Sequence, residues 1–149
     1  MIEGASLAIT LIIADDHPLF LGAVREFLGA DTRVRVLAEA ADGLEALRAI
    51  RKHQPEVAVL DVAMPGLTGL AIAREVRESG IPTEIVLLTM HKEEQVILSA
   101  LGQGICRYVL KEDLDTHLIP AIQAARERRA YFSPQLLSPA LRAKISGQP

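Results

Sequence analysis

Leu7-Ala8-Ile9-Thr10-Leu11-Ile12-Ile13-Ala14-Asp15-Asp16 is an almost unbroken apolar run that stops at two adjacent carboxylates. A run this short and this apolar reads as a strand buried on both faces, the kind found in parallel sheets. The same arrangement recurs downstream. After Pro18, the residues Phe20, Ala23, Val24, Phe27 and Leu28 fall at helical spacing and form a stripe for packing on one side. Val34 to Ala38 is a weaker strand, whose Arg35 suits a sheet edge. Asp42-Gly43-Leu44-Glu45 resembles a capping box and opens a helix through about Lys52. Val57 to Leu60 is a buried-type strand ending at Asp61, and Met64-Pro65-Gly66 is a turn. A helix from about Thr68 to Glu78 is closed by Gly80 and Pro82.

Glu84 to Leu88 is the fourth strand, ending at Thr89. Val96, Ile97, Ala100 and Leu101 give the next helix its apolar face, and Gly102 and Gly104 end it. Cys106 to Leu110 is the fifth strand, ending at Lys111. Leu118, Ile122 and Ala125 line a last helix running to about Arg129. Pro120 lies near its start and is tolerable in a first turn, where the missing N–H has no intrahelical partner.

Five strands alternating with five one-sided helices imply an α/β fold with a parallel sheet covered on both faces. Right-handed crossovers and this count fit the flavodoxin-like doubly wound order 2-1-3-4-5, which puts any site outside the carboxyl ends of the strands. Residues 7–130 form this domain. Residues 131–149, with Ser133-Pro134 and Ser138-Pro139, read as a linker or tail with one short helix.

Composition narrows the function. The 149 residues are 50% hydrophobic and 23% charged, with a net charge of −3, too apolar and too weakly charged for a disordered chain. One cysteine excludes a disulfide scaffold and points to a reducing, cytoplasmic setting. Cys106 itself reads as a small core residue. No apolar run reaches membrane-span length and no signal peptide opens the chain, so no membrane partner is expected. Residues 1–118 carry 11 Lys and Arg against 18 Asp and Glu, net −7; residues 119–149 carry 5 against 1, net +4. An acidic body with three Phe, two Tyr and no Trp argues against nucleic acid as its own ligand.

The strands end at Asp15-Asp16, Asp61, Thr89 and Lys111, all on one rim of the expected sheet. Carboxylates crowded there repel: two unit charges about 5 Å apart at an effective dielectric of about 20 cost about 3 kcal/mol. A hard cation such as Mg²⁺ offsets that repulsion. A carboxylate beside such a cation can attack phosphorus and become an aspartyl phosphate. Lys111 and Thr89 supply donors for the phosphoryl oxygens. His17 reads as a turn residue, and His53 and His117 as solvated side chains with no ligand spacing.

Ile13-Ala14-Asp15-Asp16-His17-Pro18, Leu60-Asp61-Val62-Ala63-Met64-Pro65-Gly66, Leu88-Thr89 and Leu110-Lys111 together resemble the receiver domains of two-component response regulators, over roughly Ala8 to Ala130. The resemblance implies that Asp61 is the phosphoacceptor. It implies that Asp15 and Asp16 hold Mg²⁺, one directly and one largely through water, with Asp61 and the backbone carbonyl of Ala63 in the same metal shell. Thr89 and Lys111 are then the phosphoryl-binding residues. Tyr108 matches the switch aromatic that turns inward when Thr89 moves toward the phosphate. Ala63 and His91 flank the site at positions that vary in the family and affect phosphate lifetime.

Ala-Asp-Asp-His-Pro and Tyr131-Phe132-Ser133-Pro134-Gln135-Leu136 are similar to the NarL/FixJ (LuxR-type) subfamily. There the last motif leads into a DNA-binding helix-turn-helix, and this chain stops about where that domain begins. The implied role is a switch and not an enzyme, apart from self-catalysed phosphotransfer and autodephosphorylation. A sensor histidine kinase is the implied donor and transcription the implied output. The face of the fourth helix, fifth strand and fifth helix is a homodimer surface in such a reading. DNA is a partner for a full-length protein and not for this chain alone.

Three rivals fit less well. A haloacid dehalogenase-type phosphatase wants Asp-x-Asp and a cap insertion, whereas Asp15 and Asp16 are adjacent. A pseudo-receiver with a dead site conflicts with the intact set Asp16, Asp61, Thr89 and Lys111. A flavodoxin wants a Ser/Thr-rich phosphate loop after the first strand.

Overall fold

Among the described residues, the alternation read from the sequence becomes six parallel strands and, between them, five helices. A computed structural model of the chain describes residues 8–90, 94–102, 104, 105, 107–136, 138, 139, 142 and 143, with backbone alone for 94–96. In chain order they are β1 (Ile9–Ala14), α1 (Pro18–Gly29), β2 (Val34–Ala40), α2 (Gly43–His53), β3 (Val57–Asp61), α3 (Gly69–Glu78), β4 (Glu84–Thr89), α4 (Glu94–Gly102), β5 (Arg107–Leu110), α5 (Leu114–Arg126) and β6 (Tyr131–Phe132). A 3₁₀ turn, Lys111–Asp113, leads from β5 into α5. The sheet order is β2-β1-β3-β4-β5-β6, and every pairing is parallel. Cys106 and His91 lie outside the described residues.

The two-residue period of the strands splits the core into two layers. Ile12, Ala14, Ala58, Leu60, Leu87 and Leu110 face α2, α3 and α4. Leu11, Ile13, Val57, Val59, Val86 and Val109 face α1 and α5. Each central strand thus needs apolar residues at every position, which is why the runs are unbroken. β2 has a neighbour on one side only, and its Arg35 is exposed as an edge allows. In α1 the buried stripe is Val24 and Leu28, flanked by Phe20 and Phe27; Ala23, expected in the stripe, is exposed.

Local capping agrees with the sequence, with one shift. Asp42 accepts from the Glu45 N–H at 2.8 Å, but Glu45 reaches back to the N–H of Ala41, one residue earlier than the reciprocal box requires. Thr68 caps α3 by accepting from the Ala71 N–H at 3.1 Å.

The last helix departs from expectation at both ends. Pro120 lies in the interior of α5. Its ring nitrogen cannot donate to the Thr116 carbonyl, and Thr116 is exposed, so water can serve that oxygen. The helix stops at Arg126, short of Arg129, because Arg128 turns left-handed at φ 59°. The N–H groups of Arg128 and Arg129 close on the carbonyls of Ala125 and Ala124 at 3.0 and 2.7 Å, a Schellman ending.

The sheet has one strand more than expected. Tyr131 and Phe132, read as the start of a linker, pair with Arg107 and Tyr108 of β5. Two residues carry no periodicity, and the neighbouring Ser-Pro pair reads as a linker. Ser133 follows, fully buried: its N–H donates to the Tyr108 carbonyl and its Oγ accepts from the Leu110 N–H, both at 3.0 Å. Leu136 enters the same core layer as Tyr108. His117 of α5 meets the Tyr131 hydroxyl at 2.5 Å and so fastens β6 from the helix side. Ser133→Ala is therefore expected to leave a buried N–H without its hydroxyl acceptor and to cost about 1–3 kcal/mol in urea unfolding.

Candidate phosphoacceptor site

Strand ends bring the polar residues together as the fold requires. Asp15 follows β1, Asp61 closes β3, Thr89 closes β4 and Lys111 follows β5. Their relative exposures are 2%, 3%, 2% and 9%, values rare for charged groups unless they are paired. Asp16 is half-buried beside them. Two glycines let the surrounding backbone close in. A Cβ on Gly69 would sit 2.7 Å from the Asp61 carbonyl oxygen, and one on Gly43 would sit 1.8 Å from that of Leu67. The start of α3 and the start of α2 thus press against the loop that follows Asp61.

Lys111 is the cation of the group. Its Nζ lies 2.6 Å from Asp15 Oδ2 and 3.2 Å from Asp61 Oδ2. The Ala63 N–H donates to Asp61 Oδ1 at 3.1 Å. A cavity of about 90 Å³ opens over Asp61, lined also by His17, Val62, Ala63, Thr89, Met90 and Lys111. Tyr108 is buried in the core layer beneath, with its ring turned inward.

His17 does more than turn the chain. Its Nδ1 lies 3.1 Å from Asp15 Oδ1 and 3.2 Å from Asp16 Oδ1, and its backbone N–H donates to Asp15 Oδ1 at 2.8 Å. Adjacency in Asp15-Asp16-His17 was the available signal, but it gives no side-chain direction. Phe20 and Met90 also escaped the sequence reading. In the sequence Phe20 is one member of a helix stripe, yet its ring lies under the Lys111 ammonium.

Lys111 faces Asp15 and Asp61, and Asp16 faces His17. Asp15 Oδ2, Asp16 Oδ1 and Asp61 Oδ2 are buried without a hydrogen bond; Lys111 or His17 faces them at ion-pair distance, without hydrogen-bond direction. Asp15, Asp16, His17 and Asp61 bring ligand atoms within 4.8 Å of one another. Hard oxygen donors with surplus negative charge fit a divalent cation.

Burial pushes the Asp61 carboxyl above its ordinary range, and the Asp15 charge adds to that; the Ala63 N–H and Lys111 pull it back in part. The folded chain therefore holds this proton more tightly than the unfolded chain. Stability falls as pH rises from the ordinary carboxylate range through the folded pKa, and the whole penalty is present above it. Asp61→Asn removes that penalty. The variant should be more stable than wild type at pH 7, by on the order of 1 kcal/mol, and the gap should narrow toward pH 4 in urea unfolding.

The profile of the response regulator receiver domain family matches residues 11–123. The chain belongs to the response regulator receiver family. A Mycobacterium tuberculosis relative named "Probable transcriptional regulatory protein NarL" is 36% identical over 129 residues, covering 87% of this chain and 60% of that protein. The solved receiver domain of Mycobacterium tuberculosis NarL superposes with a TM-score of 0.79 at 36% identity, covering 82% of this chain and 98% of that one. A LuxR-family response regulator from Aurantimonas gives 0.79 at 29% identity, over 94% and 96% of the two chains. This receiver domain is thus of the NarL/LuxR type, and it spans about three-fifths of the length of the curated relative. Among the described residues no helix is long and apolar enough to cross a membrane.

Proposed function

We propose that this receiver domain takes a phosphoryl group from a sensor histidine kinase onto Asp61, in a Mg²⁺-dependent reaction, and passes the change to a transcriptional output. The carrying observation is a buried carboxylate at the floor of a small cavity, with Lys111 3.2 Å from its Oδ2. Asp15, Asp16, Asp61 and the carbonyl of Ala63 would hold the metal ion. When bound, Mg²⁺ neutralises charge on the carboxylates and on the phosphoryl oxygens.

Asp61 attacks with one carboxylate oxygen. A bond forms to phosphorus as the bond to the donor nitrogen breaks, and that electron pair stays on the donor's imidazole. The Asp61 charge that held Lys111 passes to the phosphoryl oxygens, and the ammonium follows it. The Thr89 hydroxyl donates to a second phosphoryl oxygen. In the β4–β5 ladder Thr89 pairs with Leu110 and Tyr108 with Leu87, so Thr89 and Tyr108 lie two residues apart along one face of the sheet, and in this reading a shift of Thr89 is passed to the buried ring. The α4–β5–α5 face is the surface that would change, in self-association or toward a following domain.

The setting is cytoplasmic in this reading. In this reading the output is carried by a part of the kind that gives the longer relative its extra length. The receiver segment alone does not bind DNA, as its acidic body suggests.

Incubation with Mg²⁺ and acetyl phosphate should add one base-labile phosphate to the wild type and none to Asp61→Asn, read by intact-mass spectrometry. Equal uptake by both would overturn the assignment. Multiple turnover of a small phosphate ester would favour a phosphatase.

A further inference from the structure

Lys111 stands between two cavities. One is the small cavity over Asp61; the other is larger and mostly apolar, about 500 Å³, lined by His17, Pro18, Leu19, Phe20, Met90, Lys111 and Glu112. The two carboxylates draw the ammonium toward the first. The ring of Phe20 borders the second, and Nζ lies 4.6 Å from its centroid. The face of an aromatic ring attracts a cation through its quadrupole, most strongly where water is excluded.

We infer that Phe20 is a positioning residue for phosphoryl transfer: its ring face holds the Lys111 ammonium beside Asp61 and keeps it from turning into the apolar cavity. This rests on the reading of Asp61 as phosphoacceptor. The ring suits the task because it offers attraction without a hydrogen bond. As negative charge passes from Asp61 to the phosphoryl oxygens, the ammonium must move with it. A carboxylate in place of Phe20 would compete for that cation. An aliphatic side chain would leave it free to swing out and take up water. Phe20 enters α1 three residues after His17, so the turn that carries Asp15 and Asp16 also places the ring.

Phe20 also packs on the core layer under α1 and α5, and the test has to separate packing from the ring face. Phe20→Leu keeps an apolar side chain and removes the face; Phe20→Tyr keeps the face. The first readout needs no phosphate. In proton NMR the Lys111 ε-methylene should be shifted upfield by the ring current in wild type and Phe20→Tyr, and not in Phe20→Leu. The second readout is the first-order rate of Asp61 phosphorylation by acetyl phosphate at saturating Mg²⁺. Phe20→Leu should be slower by about fivefold, the equivalent of about 1 kcal/mol, and Phe20→Tyr should stay within about twofold of wild type. Urea unfolding verifies that each variant is folded under the assay conditions.

A folded Phe20→Leu protein that reacts at the wild-type rate overturns the inference. So does an equal slowing by Leu and Tyr, which would assign Phe20 to packing. A wild type that takes no phosphate on Asp61 overturns the phosphoacceptor reading and this inference with it.

Discussion

Lys111→Met is expected to cost the metal-free protein about 3 kcal/mol or more, because removing one member of a buried charged group leaves the others uncompensated. Lys111 is paired with Asp15 and Asp61 at 2.6 and 3.2 Å, and both carboxylates are almost wholly buried. Met keeps most of the stem volume, so the loss reports the ammonium. The metal supplies a check internal to the protein. Binding to the folded state at ten times its dissociation constant adds about 1.4 kcal/mol, or roughly 3–6 °C in Tm for a chain of this size. The variant should bind Mg²⁺ more tightly and so gain more than wild type at the same Mg²⁺ concentration, because the divalent ion then supplies the counter-charge that the ammonium no longer provides. Urea unfolding with and without MgCl₂, with NaCl at matched ionic strength, measures both effects. Equal stabilities, or equal Mg²⁺ responses, would show that Lys111 is not the counter-charge of the site.

Gly43→Ala is the second large effect, and it arises from space alone. Gly43 opens α2, and a Cβ there would lie 1.8 Å from the Leu67 carbonyl oxygen and 2.6 Å from the carbonyl carbon. Both are backbone atoms, so no rotamer change relieves the clash. A cost of about 3 kcal/mol or more is expected in urea unfolding. The loop between β3 and α3 would have to yield, and it carries Ala63, whose N–H holds Asp61 Oδ1. Phosphorylation by acetyl phosphate should slow as well. Gly22→Ala is the control: the added Cβ meets only the end of Arg25 at 3.4 Å, within α1, and should be neutral or gain up to about 1 kcal/mol. A Gly43→Ala protein as stable as that control would show that α2 and the loop can separate freely.

Residues adjacent in sequence carried most of the site. Asp15, Asp61, Thr89 and Lys111 each end an apolar run, and the rule that parallel strands bind at their carboxyl ends groups them from the sequence alone. The cap at Asp42 was legible because a side-chain oxygen and an N–H three residues away need no tertiary partner. Strand order followed from the βα alternation and the handedness of its crossovers.

What depends on atoms distant along the chain was decided only by packing. Phe20 reads as a helix stripe because its sequence neighbours are apolar; only the tertiary fold sets its ring against Lys111, which is 91 residues further along the chain. Tyr131 and Phe132 are too few to show a period, and they become a strand because β5 leaves an edge open and Ser133 and Leu136 have burial sites beside it. Pro120 lies inside α5 because the Lys111–Asp113 turn leads straight into the helix and moves its start upstream. Periodicity and local hydrogen bonding are short-ranged and are written in the sequence. The direction of a side chain and the closeness of two backbones are long-ranged, and here they decide how the buried charges of the site are held.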